Sequence, residues 1–442
     1  MIRFVDLFAG IGGIRLGFQQ ALDDLGIAYK CVLSSEIDKN AQETYKLNFG
    51  ENPKGDIYKI GEFPQFDFLL AGFPCQPFSY AGKQKGFGDT RGTLFFEIEK
   101  RLAQYKPNGF LLENVRGLTT HDGGRTLATI IQKLESLDYG VRCLSLNSSD
   151  FNVPQNRSRI YILGLKKGTP TLSLKSGKGA SDSHHFRRLL NSNRIQSKPI
   201  TLVKDILDAE APTKYNCSEG FSEKLKLVLK QKKLPIDGVR MIDFRNGNSI
   251  HSWELGIKGQ CNAEEIDFLN ALIANRRKKE FGTHQDGKNL SLEQIQTFYD
   301  HPNLIEITKS LISKKYLRKR DGLYNPVSGN MSFEVFKFLD PNSVSITLVS
   351  SDAHKLGVMH QSRVRRITPR ECARLQGYPD SFISHPVDQY AYHQFGNSVS
   401  VPVIKAVVFD LFENNHFELT DGVKFDYRLR PNNFHASLEA AE

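Results

Sequence analysis

From Ile2 to Leu165 apolar runs alternate with amphipathic segments, and few chain paths satisfy that alternation. "RFVDLFAG" reads as a strand, and "IRLGFQQALDDLG" as a helix with Ile14, Phe18 and Leu22 on one face. "YKCVLSSEID" is a second strand before the helix-like "NAQETYKLNFG". "FDFLLAGFP" and "GFLLENV" are further strands, and "RTLATIIQKLESLDYG" is a helix expected to close at Gly140. Strand and helix in turn build an α/β fold, a mostly parallel sheet with helices on both faces. "VRCLSLNSS" and "RIYILGL" leave no room for a helix between them, so an antiparallel hairpin should end the sheet.

The texture changes after Leu165. "KKGTPTLSLKSGKGASDSHH" is rich in Lys, Gly and Ser and reads as a linker. The chain then stays irregular and basic to about Gly357, with "LVLKQKK", "NRRKKE" and "SKKYLRKRDG". One piece, "PNLIEITKSLISKKYLRKRDGLYNPVSG", predicts a helix and then two short strands around the turn Asp321-Gly322. Such a basic hairpin suits a DNA groove, and it suits a solvated scaffold insertion equally well. The chain has 442 residues and a formal net charge of +10, room for two domains and an excess that suits a polyanion. Its 6 cysteines share no CxxC spacing and no His cluster accompanies them, so neither zinc nor a disulfide framework is expected, and no metal. The amino terminus lacks a signal-peptide layout and no apolar run reaches membrane-spanning length. The expected setting is cytoplasmic and thiol-reducing, with no membrane partner.

"DLFAGIGG" follows a strand and opens a helix. Gly10, Gly12 and Gly13 let a ligand approach the main chain, whose N–H groups face it at the helix start. The dinucleotide pattern GxGxxG fails, because Arg15 stands at the third glycine. Glu36 ends the next strand, where an acid accepts hydrogen bonds from ribose hydroxyls, and Asp56 could receive an adenine amino group. These parts fit a nucleoside that needs no pyrophosphate, such as S-adenosylmethionine. Glu36 and Asp56 could also be ordinary strand-end caps.

Cys75, in "GFPCQPFS", stands at the end of an apparent strand, where open parallel sheets bind ligands. A strand-end cysteine is commonly a small buried hydrophobe. Here Pro74 and Pro77 restrict the backbone and fix the direction of the thiol, which makes it a candidate nucleophile. A thiol beside a methyl donor has one clear use. C5 of cytosine is too weakly nucleophilic to be methylated directly; thiolate addition at C6 turns the ring into an enamine. That step needs a donor at N3. Glu113, in "LLENV", is a candidate if its pKa is raised. Arg157 and Arg159, in "QNRSRIYILG", offer fixed cations at a strand start; a polar cap and surface ion pairs are the plainer alternatives.

With these residues in place the chain resembles a DNA (cytosine-5) methyltransferase of the bacterial restriction-modification type. "DLFAGIGGIRLGF", "EID", "GD", "GFPCQPFS", "RGTLFFEI", "ENV", "QNRSRIYILG", "RRITPRECARLQGYPD" and "GNSVSVPV" carry the resemblance, over roughly the first 165 residues and from about 340 to 412. It implies a Rossmann-like seven-stranded sheet with an inserted, smaller target-recognition domain. The expected divisions are residues 1–165, 166–357 and 358–442, the last completing the catalytic domain. Cys75 would be the nucleophile and Glu113 the group at N3, with Arg159, Arg157 and Gln155 supporting the cytosine's O2 and a closing loop. Phe8, Ala9, Gly10, Gly12, Gly13, Glu36, Ile37, Asp56, Ile57, Pro74, Leu94, Asn397 and Ser398 would hold S-adenosylmethionine. Ser79, Lys83, Gln84, Thr347 and Leu348 would contact DNA. Since Asn397 and Ser398 come late in the chain, its last segment must pack back onto the first strand. The implied reaction is methyl transfer to an extruded cytosine in double-stranded DNA by a monomer, with a restriction endonuclease as a functional partner only. RNA cytosine methylation, or a silent DNA-binding module of the same fold, are the alternatives.

Overall fold

The structure is a computed structural model and describes residues 1–73, 94–177, 201–244, 248–282, 288–327 and 333–419. Pro74, Cys75, Ser79, Lys83 and Gln84 lie outside the described residues. The chain divides into two compact units. The first is Met1–Ile206, Val344–Ser350 and Cys372–Glu442; the second is Leu207–Ser343 and Ser351–Glu371.

The first unit opens with β1 (Ile2–Leu7), α1 (Gly13–Leu25), β2 (Tyr29–Ser35) and α2 (Lys39–Phe49). β3 (Phe68–Gly72), α3 (Leu94–Tyr105), β4 (Gly109–Val115), α4 (Arg125–Glu135), β5 (Gly140–Asn147) and β6 (Ser158–Leu165) follow. The second unit contains α5 (Glu219–Lys232), β7 (Arg240–Met241), β8 (Ser249–Ile250), α6 (Ala263–Asn275), α7 (Leu292–Gln296) and α8 (Leu304–Ser313). It continues with β9 (Leu317–Arg320), β10 (Leu323–Pro326), β11 (Lys337–Phe338), β12 (Leu356–His360) and β13 (Arg363–Arg366). Two long helices, α9 (Asp388–Asn397) and α10 (Val401–Asn414), belong to the first unit again.

In the first unit six strands form one sheet in the order β2-β1-β3-β4-β6-β5. β2, β1, β3 and β4 pair in parallel; β6 is antiparallel to both β4 and β5. The expected hairpin is therefore present, and β6 lies inside β5 rather than beyond it. The sheet is mixed, and among the described residues it has six strands where seven were expected. Where a seventh would lie, beside β2, there is a single parallel bridge between Ser35 and Lys54. Lys54 donates to Ser34 O and accepts from Glu36 N, and Pro53, without an N–H, precedes it.

Alternation along the strands builds two cores. Phe4, Phe68, Leu70, Leu111 and Leu163 pack on one face with Phe18 and Leu22 of α1 and with Val403, Ile404, Val407 and Phe412 of α10. Val5, Leu69, Leu112 and Ile162 pack on the other with Phe95, Ile98 and Leu102 of α3 and Ile130 and Leu134 of α4. Asp38 starts α2 by accepting from the N–H groups of Asn40 and Ala41. The helix expected to close at Gly140 ends earlier: α4 stops at Glu135, Asp138 makes the left-handed turn (φ 67), and Gly140 begins β5. A Cβ at Gly140 would stand 2.4 Å from Gly168 O, which explains the glycine there. Asp388–Asn414 is long and apolar enough to cross a membrane, yet 78 % of its most apolar window is buried.

The second unit holds a five-stranded sheet of short strands, β13-β12-β11-β7-β8, and a separate ribbon, β9-β10. The hairpin expected at Asp321-Gly322 is that ribbon, with both turn residues left-handed (φ 51 and 76).

Candidate active site

β1 ends at Leu7, and the chain turns through Phe8 (φ 54), Gly10 (φ 54) and Gly12 (φ 85) into α1. At Gly12 a Cβ would come within 2.2 Å of the Phe49 ring, so the turn admits only glycine. At Gly13 it would meet Tyr378 Oη at 2.4 Å and Ser398 Oγ at 2.7 Å. The far end of the chain thus seats against the glycine turn. Above Gly10 there is open space.

Glu36 follows β2. Its carboxylate accepts from Gly10 N at 2.7 Å and from Asp38 N at 2.8 Å, while burial pushes its pKa up. Each oxygen keeps a lone pair for a further donor. Ala9 N donates to Ser35 O, tying the turn to β2. Ile37 beside it is 72 % exposed. Glu36 N donates to Lys54 O, which brings Asp56, two residues on, to the same side. Asp56 Oδ1 accepts from Tyr58 N, and Ile57 is buried. Leu94 begins α3, half-buried against the second core, and Asn397 is exposed at the end of α9. A cleft of about 770 Å³ runs along the β2 edge past Ser34, Lys54 and Lys59. Of the expected cofactor residues it touches only Asp56, so it follows the outer edge of β2 rather than the glycine turn.

Glu113 lies on β4 opposite Gly72, the last residue of β3. One carboxylate oxygen is 3.1 Å from Arg159 Nε of β6, and the other lies over Gly72, where a Cβ would be 3.8 Å away. Burial pushes its pKa up; Arg159 and then Arg157 oppose that without cancelling it. The result is a buried carboxyl with a raised pKa, facing a fixed cation. Asn114 Nδ2 holds the Phe73 carbonyl at 3.2 Å, steering the chain as it leaves β3.

Gln155 and Arg157 are placed differently. Both are buried. Gln155 donates to Leu375 O and accepts from Leu348 N, each at 2.7 Å. Arg157 donates to Leu348 O at 2.6 Å, to Gly396 O at 3.2 Å and to Ser398 O. Burial, reinforced by Arg159, pulls its pKa down to about 9. These bonds to main chain, with a further one from Gln155 to the Gln376 side chain, join the start of β6 to the Thr347–Leu348 segment and the end of α9. Leu348 is itself buried, and Thr347 Oγ1 donates to Asn156 O.

Three residues of the site escaped sequence reasoning. Tyr378 wedges between Gly13 and Ser398 and hydrogen-bonds Ser398 Oγ at 2.5 Å. Asp6 is fully buried in β1, accepts from Tyr45 Oη at 3.3 Å, and has its pKa pushed up to about 7 by burial. An acid inside the apolar run "RFVDLF" was the available signal. Arg15, noted only as a missing glycine, donates to Tyr45 Oη and Glu51 and lies over the Phe49 ring at 4.3 Å.

The chain is similar to known proteins along most of its length. The family model described as C-5 cytosine-specific DNA methylase matches residues 2–413. The chain is 66 % identical over 415 residues to the Type II methyltransferase M.HgiCI of Herpetosiphon aurantiacus, covering 94 % of this chain and 98 % of that one. It is 62 % identical over 423 residues to the Type II methyltransferase M.BanI of Aneurinibacillus aneurinilyticus, covering 96 % and 98 %. Among solved structures, the Entamoeba histolytica methyltransferase EhMeth shares the fold with a TM-score of 0.51 at 15 % identity, over 93 % of this chain and 98 % of that one. On the extent of the family match and the identity to these relatives, this chain belongs to the C-5 cytosine-specific DNA methylases and is a DNA (cytosine-5) methyltransferase.

Proposed function

We propose that this enzyme methylates C5 of a cytosine extruded from duplex DNA at a short sequence, through a covalent bond from Cys75, and so protects DNA from a cognate restriction endonuclease. The observation that carries the reading is the buried Glu113 carboxyl, paired with Arg159 and in register with Gly72. Two residues, Phe73 and Pro74, stand between Gly72 and Cys75, so three steps of chain span at most about 11 Å. A base lying over Glu113 is therefore within reach of the thiol.

The Cys75 thiolate adds to C6 of the cytosine. Glu113 gives its proton to N3 as the ring takes up the electron pair, and Arg159 stabilises the carboxylate left behind. C5 is now an enamine carbon. Bound S-adenosylmethionine supplies the methyl group. Solvent water then takes the C5 hydrogen as a proton, the C6–S bond breaks to release the thiolate, and N3 returns its proton to Glu113. The glycine turn fits the methyl donor: Gly10 faces open space and Glu36 keeps lone pairs for ribose hydroxyls. Ile37 and Asp56 flank an adenine, and Asn397 and Ser398 close the site. Gln155 and Arg157 act as positioning residues. The second unit serves as the target-recognition domain, its cations meeting phosphates.

Duplex DNA carrying 5-fluorocytosine at the target should form a stable covalent adduct with the wild type, because elimination requires the C5 hydrogen. The Cys75→Ala variant should form none and should transfer no methyl group while still binding the site. Methylation that survives in that variant rules the mechanism out.

A further inference from the structure

Residues Trp253–Pro326 of the second unit have an apolar core of their own. Trp253, Phe268, Leu272, Ile295, Leu311 and Tyr316 are wholly buried in one cluster. The chain runs through it as α6, the bridge residue Leu290, α7, α8 and the β9–β10 ribbon. Leu290 and Tyr324 exchange both main-chain hydrogen bonds, at 2.9 and 2.7 Å, so β10 lies between Leu290 and β9. Helix, bridge residue, helix, helix and two-stranded ribbon follow the path of a winged helix–turn–helix, with the Leu290 bridge on the inner ribbon strand where that motif has its first strand.

Local sequence supports each part. Asn262 with Glu265 and Ser291 with Gln294 form capping boxes that start α6 and α7. Asp321-Gly322 supplies both left-handed residues of the ribbon turn. Glu265 accepts from Lys314 at 2.8 and 2.7 Å and from Ser310, fixing α8 against α6.

The surface is split by chemistry. Leu304, Ile307, Thr308 and Leu311 turn α8 inward. Ile305, Glu306 and Lys309 share its exposed side, and Ile305 is 53 % exposed. Those three side chains match groove chemistry: an apolar group for a thymine methyl, an acceptor for cytosine N4, a donor for guanine O6 and N7. On the ribbon Arg318, Lys319 and Arg320 are all exposed. Among the described residues Arg318 and Lys319 have no carboxylate partner, and Arg320 has only Asp321 at 3.6 Å. Three adjacent cations repel one another unless an anion lies across them.

We infer that Trp253–Pro326 is a winged helix–turn–helix module that binds duplex DNA, with α8 in the major groove and the β9–β10 ribbon on the phosphates. The inference rests on the reading of the second unit as the recognition unit. It assigns base reading to Ile305, Glu306 and Lys309 and sequence-independent grip to Arg318, Lys319 and Arg320.

The test measures full-length protein binding to two duplexes over a salt series. One carries the site found by bisulfite sequencing of DNA from expressing cells; the other is scrambled. Combining Arg318→Ala, Lys319→Ala and Arg320→Ala should weaken binding to both duplexes roughly tenfold or more and lower the salt slope by about 2.7, about 0.9 for each phosphate no longer neutralised. Combining Glu306→Gln and Lys309→Ala should cut the preference for the site roughly ten- to hundredfold. All five residues are exposed, so unchanged circular dichroism and melting should show the fold intact. An unchanged salt slope in the first variant, or an unchanged preference in the second, overturns the inference while wild-type methylation leaves the proposed function standing. A wild type that neither binds nor methylates either duplex removes both.

Discussion

Glu113 and Arg159 form an ion pair at 3.1 Å with side chains 10 % and 14 % exposed, whereas Arg320 and Asp321 face each other at 3.6 Å with 85 % and 87 % exposed. Arg157 is buried and spends its guanidinium on three main-chain carbonyls; Arg318 sits on an open ribbon edge. The same residue types serve opposite ends. In the first unit burial makes a charge either chemically useful or structurally binding, because little water competes for it. On the ribbon, where Lys319 lies over the Tyr324 ring at 5.3 Å, water screens the exposed charges, so a polyanion stands to gain most from them. The contrast belongs to the ribbon and not to the whole second unit, since Arg365 and Glu371 there form a wholly buried pair at 2.7 Å.

The sharpest way to break this contrast is Glu113→Gln. If the buried pair is chemical, kcat should fall roughly 10²- to 10⁴-fold, since the amide cannot hand a proton to N3. Because burial raises the Glu113 pKa, wild-type activity should decline as pH rises through the raised value. Stability runs the same way. A raised folded-state pKa contributes stability that is complete below the unfolded value and lost as pH rises through the folded one. The wild type should therefore lose ground to the Gln variant in thermal melts as pH climbs across that window. Equal kcat and parallel pH profiles would reduce Glu113 to a structural acid.

Next in size is Arg157→Met. It strands the carbonyls of Leu348, Gly396 and Ser398, and buried acceptors left without donors cost about 1–3 kcal/mol each when they cannot reach water. A total of about 3 kcal/mol in urea unfolding is expected. Arg157→Lys should recover only part of it, because one ammonium cannot span three carbonyls held by a planar fork. Full recovery by Lys would show that charge alone matters there.

These residues also mark how far the sequence could be read. The β1 turn was legible because its cause is local: Gly12 meets Phe49 and φ is positive. The strands of the first unit were legible because their two faces alternate between two cores. Of the seventh strand the described residues hold one bridge, at Lys54, beside β2. Gln155 and Arg157 could be located but not given their contacts, because their partners lie about two hundred residues on. In the second unit β7, β8 and β11 have two residues each, too short for any periodicity to register. Its one legible hairpin was the one with Asp-Gly at the turn, again a local cause. The helix–turn–helix path around it rests on the single pairing of Leu290 with Tyr324, which no local pattern announces.

The smallest effect expected is on the stability of the ribbon. Arg320→Ala removes a pair that is almost fully solvated, and a solvated ion pair gains little Coulomb energy over its hydrated, separate charges. The melting temperature should stay within about 1 °C of wild type, the range of substitutions that touch no buried group. DNA binding should nonetheless lose close to one unit of salt slope, about 0.9 for one phosphate. A clear drop in melting temperature with an unchanged slope would mean that Arg320 holds the ribbon together instead of gripping an anion, and the division between buried and exposed cations would lose its functional meaning.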